Sequence, residues 1–133
     1  MVVNFGVNYL AVIIAAIVAV VIGFIWYSPQ ALGRLWGSSG MPAGPNPGPM
    51  EGVGGLVLSF VSAWVLAVLA LNLGGSTLGD GVMLGVICWL GFQGTLTAAD
   101  TLFRKLPWGQ WLVNNGHHVI VQAVMGAIIL SIK

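Results

Sequence analysis

Charge is what this sequence has least of. Its 133 residues include four Lys or Arg and three Asp or Glu, 5% in all, where soluble domains carry about a quarter. So little charge cannot cover a water-soluble fold, and lipid is the expected solvent for most of the chain. A formal net charge of +1 offers nothing to nucleic acid or to an acidic partner. The one cysteine, Cys88, has no intrachain disulfide partner and reads as a small buried hydrophobe. The two histidines are adjacent, His117 and His118, and point to different helix faces. No third ligand joins them, so no metal site of three or four ligands is expected. Paired carboxylates, a Ser/His/Asp set and a phosphate-binding loop are also missing; the glycines at 52–55 follow no strand. Met1 to Leu10 contains no Lys or Arg, unlike the start of a secretory signal. A retained membrane helix is expected there instead.

What is present is apolar: 58% hydrophobic residues and a mean hydropathy of +0.99. Four runs approach the roughly 20 residues needed to cross hydrocarbon. They cover about 7–27, 53–73, 81–103 and 108–132, which predicts an all-α fold, a four-helix transmembrane bundle in one membrane domain. Ala11, Ala15, Ala19 and Gly23 recur every four residues, as do Ser59, Ala63 and Ala67. Such small-residue stripes let helices approach closely in lipid, and packing within the bundle is their expected use. Ser28-Pro29 reads as a cap and first turn of a short interfacial helix ending near Trp36. The Gly/Pro-rich stretch 37–51 reads as an extended linker outside the membrane.

Trp26, Tyr27, Trp36, Trp108 and Trp111 fall at one membrane–water interface, with Arg34, Arg104 and Lys105 beside them. By the positive-inside rule the loops 28–52 and 104–107 are expected in the cytoplasm, with both termini outside. Nearly all strongly polar side chains at membrane depth lie in the last third of the chain. Gln93, Thr97, Asp100 and Arg104 share one stripe; Asn115, His118 and Gln122 share another, with Asn114 at its edge. Folded about Pro107, the two stripes form a polar seam. Asp100 comes level with Asn114, Thr97 with His118, and Gln93 with Gln122. A charge near the bilayer centre costs about 2.5–3.5 kcal/mol on insertion scales, so Asp100 is expected to pair with Arg104 near the interface. The seam's plainest role is to set helix register. A proton or ion path through Asp100 and His118 is the functional alternative.

Three segments carry a resemblance. Asn8-Tyr9-Leu10-Ala11 opens a span closing in Trp26-Tyr27-Ser28-Pro29, followed by Gly33-Arg34-Leu35-Trp36. Pro107-Trp108, Trp111-Leu112, Asn114, Gly116 and His118 mark the last helix. The chain resembles a family of small four-span bacterial membrane proteins catalogued as a domain of unknown function. The resemblance implies four helices and a bacterial cytoplasmic membrane, and it carries over no activity. The small-residue faces, the little mass outside the four spans and the lack of a catalytic set lead instead to the expected function, a non-enzymatic one: association with itself or with other membrane subunits. A small channel or proton-coupled transporter using the seam is the alternative. Haem or pigment ligation by His117 or His118 is a weaker one, and otherwise no cofactor is expected.

Overall fold

The computed structural model describes residues 1–28, 31–37 and 48–132. Four long helices account for most of them: α1 (Tyr9–Tyr27), α2 (Pro49–Asn72), α3 (Leu78–Arg104) and α4 (Trp108–Ser131). Each is long and apolar enough to cross a membrane. No strand occurs among the described residues. The fold is an all-α four-helix bundle, and the protein is a membrane protein.

Polar side chains mark where the first three helices start. The Asn8 carboxamide oxygen accepts from the backbone N–H groups of Leu10 (3.1 Å) and Ala11 (3.4 Å), capping α1. Its Nδ2 donates to the Ile132 carbonyl at 3.3 Å, tying the start of α1 to the end of α4. Pro49 takes the first turn of α2, and the Glu51 carboxylate accepts from the Gly48 N–H at 2.9 Å. The helix thus begins four residues before the span expected from hydropathy, and Pro49–Glu51 belong to it rather than to the linker. Residues 38–47 of that linker, and Pro29, lie outside the described residues. The expected interfacial helix is a 3₁₀ turn, Leu32–Leu35. Ser28 ends α1; the expected cap and first turn at Ser28-Pro29 reach residues outside those described. A Thr77–Asp80 capping box starts α3. Lys105, left-handed at φ 54°, ends it.

The core belongs to three helices. Val12, Ala15 and Ala19 of α1 meet Ala63, Leu66, Ala67 and Ala70 of α2 and Val121, Met125 and Ile129 of α4, and Ala11 is fully buried as well. Both alanine stripes read from the sequence are consumed here, inside the chain. Ser59 lies half-buried above the second stripe. Gly23, the last member of the first, lies against His117 of α4.

α3 supplies none of those buried residues and meets the core only through the half-buried Leu84 and Cys88. Only 11% of its apolar window is buried, against 28% to 39% for the other three helices. It packs almost wholly on α4 and touches α2 little. Its middle, Trp89–Gly94, winds as a π-helix, which the hydropathy pattern did not announce. Threonine hydroxyls take up carbonyls around the widened turns: Thr95 donates to Gly91 O (2.8 Å) and Thr97 to Gln93 O (2.6 Å). Such back-bonding bends helices, and π segments are common at functional sites.

Candidate functional site

The α3–α4 interface changes character along its length. At the Asn72–Thr77 end the two backbones touch. A Cβ on Gly81 would overlap the Gly126 carbonyl, one on Gly126 the Gly81 carbonyl, and one on Gly85 the Gln122 carbonyl. Gly81 and Gly85, four residues apart at the start of the third helix, form a small-xxx-small pair. Toward the Pro107 hairpin the helices are held by polar side chains instead.

Asn115 is the hub of that half. Its Oδ1 accepts from Trp89 Nε1 at 3.0 Å, and its Nδ2 donates to Thr97 Oγ1 and to the Trp111 carbonyl, both at 3.0 Å. Trp111 Nε1 adds a bond to Thr97 Oγ1 at 3.1 Å. Thr97 is therefore bonded to Asn115, not to His118. Asn114 turns the other way and accepts from the Tyr27 hydroxyl at 2.7 Å, linking α4 to α1. Asp100 and Arg104 form an ion pair at 3.5 Å, both side chains mostly exposed. Gln122 donates to Ser62 Oγ of α2 at 3.1 Å, a partner on a helix the seam reading did not include. The Gln93 carboxamide oxygen is buried and has no hydrogen-bond partner among the described residues.

Two cavities flank this interface. One, about 260 Å³, lies at the hairpin end and is lined by Thr97, Asp100, Arg104, Asn114, Asn115 and His118 among others. Six of the expected seam residues or their neighbours thus do converge, around a polar space at the hairpin end of the bundle. Gln93 and Gln122 line a second, largely apolar cavity nearer mid-depth. The polar side chains run from Arg104 to Gln122; beyond them lies the glycine contact.

His117 is the residue whose setting the sequence did not foretell. It faces α1, where its ring centroid lies 5.1 Å from Tyr27 and 6.4 Å from Trp26. Gly23 makes the room, since a Cβ there would lie 3.2 Å from Nε2. Both ring nitrogens are buried without a hydrogen-bond partner among the described residues. Around it the aromatic residues form a collar. Trp26 Nε1 donates to the Val113 carbonyl (3.0 Å), Trp36 Nε1 donates to the Trp26 carbonyl (2.7 Å), and the Trp26 and Trp36 rings stack at 5.0 Å. The collar places the loop after α1 and the α3–α4 hairpin at one end of the bundle. Arg34, Lys105 and Trp108 are exposed at that end. The signal for it was present in the Trp and Tyr spacing, but which histidine it enclosed was not.

The model of a family described as a protein of unknown function (DUF1761) matches residues 10–130, nearly the whole chain. The chain belongs to the DUF1761 family. That match spans all four helices of this DUF1761 protein, including the aromatic collar and both halves of the α3–α4 interface. No curated protein and no solved structure matches the chain. Among the described residues, no group of three or more His, Cys, Asp or Glu is placed to hold a metal ion.

Proposed function

We propose that this protein is a non-enzymatic membrane component that works by association, as a homo-oligomer or as an accessory subunit of a larger membrane complex. The observation that carries the reading is the outer face of α3. The alanine stripes of α1 and α2 are already occupied within the bundle, but α3 keeps one that is not. Gly91, Thr95 and Ala99 are exposed, and nothing lies within 4 Å of where a Gly91 side chain would begin. The Thr95–Gly91 hydrogen bond stacks the first two one turn apart. A small-residue face on the least buried helix suits a second transmembrane helix packing closely. The transport alternative draws less support, because the polar side chains stop where α3 and α4 meet backbone to backbone.

The setting follows from the basic residues. We take the end bearing Arg34, Arg104 and Lys105 as cytoplasmic and both termini as outside. A bacterial cytoplasmic membrane is the setting that the resemblance implies.

Native mass spectrometry on gently extracted protein tests the association. The expected result is a mass that is a small multiple of 13.9 kDa, or one dominated by other subunits. Ala99→Trp should break that assembly and leave the melting temperature of the chain unchanged. Ile17→Trp, on the exposed face of α1, should leave the assembly intact. A monomer from native membranes, or an assembly indifferent to Ala99→Trp, would overturn the reading.

A further inference from the structure

The cavity at the hairpin end, about 260 Å³, takes one polar stripe from each of two helices. Thr97, Asp100 and Arg104 line it from α3; Gln110, Asn114 and His118 line it from α4. Thr97 is already engaged with Asn115 and Trp111. Most of the lining is not engaged. Gln110 and His118 make no hydrogen bond to another described residue, and Asn114 uses only its oxygen, on Tyr27. The Asp100–Arg104 pair is loose, at 3.5 Å with both side chains mostly exposed. Such a pair holds weakly. Arg104 keeps further N–H donors for a third group, and Asp100 keeps a second oxygen.

The lining thus offers a guanidinium, an imidazole and two carboxamides around a single carboxylate. One cation and one carboxylate balance, which does not suit an ion of one sign. A group carrying both signs a short arm apart answers both, with its anion at Arg104 and its cation at Asp100. The cavity's position gives the source of that group. Trp111 lines it, and Trp108 packs edge-on against Trp111; such rings settle at headgroup level. The headgroup layer is about 5–7 Å deep on each face, and the rise from Thr97 to Arg104 is about 10 Å. A wall of that length spans the headgroup and the start of the glycerol below it. Ligand pockets usually start near 300 Å³. A space just under that size takes a headgroup and leaves acyl chains in the bilayer.

We propose that the α3–α4 cavity binds the headgroup of a zwitterionic phospholipid with a primary ammonium, Arg104 and His118 donating to its phosphate and Asp100 accepting from its ammonium. Phosphoethanolamine has this chemistry. Phosphocholine carries the same phosphate but has no N–H to donate. The inference goes beyond association through α3 and does not depend on it.

The test uses the full chain in nanodiscs of phosphatidylethanolamine and phosphatidylcholine, equimolar and with identical acyl chains. Native mass spectrometry then counts the lipid that stays bound. The ethanolamine lipid should be retained about three- to fivefold over the choline lipid, the range a partly exposed ion pair supplies. Asp100→Asn should remove that preference and keep the total lipid bound. Arg104→Gln should lower retention of both lipids. Both positions are exposed, so folding is kept. Lys105→Gln, at an exposed neighbour outside the cavity, should alter neither. Soluble glycerophosphoethanolamine, which lacks acyl chains, should not displace the lipid. Equal retention of the two lipids by the wild-type chain would overturn the proposal. So would a preference that survives Asp100→Asn, undiminished retention in Arg104→Gln, or a preference that Lys105→Gln removes. Displacement by the soluble headgroup would overturn the lipid as the occupant and give the site to a free solute.

Discussion

The same two helices, α3 and α4, are joined in two different ways within one interface. Near the Asn72–Thr77 turn, Gly81, Gly85 and Gly126 bring backbone against backbone. Near the hairpin, Asn115, Thr97, Trp89 and Trp111 hold the helices by hydrogen bonds. Lipid supplies no hydrophobic drive between helices, so close packing and polar bonds are the means available. The glycine half is steric and has no slack, because the nearest atoms are main-chain carbonyls that cannot move aside. The polar half is directional and tolerant, since its atoms sit on side chains that can turn. A π segment lies between them. The helix that must follow α4 closely at one end is thereby free to change pitch before it reaches the polar end.

The largest effect should come from filling the glycine half. Gly81→Leu or Gly126→Val drives a side chain into a carbonyl, and the cost should exceed the roughly 1–3 kcal/mol of ordinary overpacking. Thermal unfolding in detergent should show loss of the folded bundle for either change. Gly54→Ala is the matched control, since nothing lies within 4 Å of a Cβ there. That change should gain about 0.5–1 kcal/mol from helix propensity alone. If Gly81→Leu melts like the wild type, the backbone contact is not what holds this end.

These two halves were not equally legible in the sequence. The number of helices follows from hydropathy, because crossing hydrocarbon demands a length that the chain displays openly. The alanine stripes and the hairpin at Pro107 follow from four-residue spacing and from turn chemistry. Gly81 and Gly85 have the same four-residue spacing, and that spacing alone marks them as a close-contact pair. The pairing of Thr97 with Asn115 was harder to see. Helical wheels assign faces, but the π turn adds an offset between Cys88 and Thr95 that no wheel carries. The burial of His117 against Gly23 depends on how α1 crosses α4, a tertiary fact with no local signature.

In the polar half, Asn115→Leu should have a smaller effect. It removes three side-chain bonds and leaves Trp89 Nε1 without its acceptor. Transmembrane hydrogen bonds average about 0.6 kcal/mol each, and an orphaned indole N–H adds to that. A loss of about 2 kcal/mol is expected, with the bundle still folded. Tryptophan fluorescence should report the change directly, since the Trp89 indole loses its acceptor. A loss as large as that of Gly81→Leu would erase the distinction between the two halves, and no change in fluorescence would remove Asn115 as their hub.

The smallest effect belongs to the ion pair at the mouth of the polar half. Asp100 and Arg104 are one turn apart at 3.5 Å, with side chains 62% and 66% exposed. Exposed pairs of this kind contribute about 0–1 kcal/mol and weaken in salt. Asp100→Asn should therefore lower stability by well under 1 kcal/mol, and added salt should shrink even that difference. The comparison sharpens here because Asp100 lines the same cavity as Thr97 and Asn115 but hydrogen-bonds to neither. If the network and the ion pair act independently, the cost of Asp100→Asn is the same in the wild type and in Asn115→Leu. A double-mutant cycle on the two positions measures this. Coupling above about 0.5 kcal/mol would mean that the polar half extends as one unit from Trp89 to the headgroups. Additivity would confine it to the side chains gathered around Asn115.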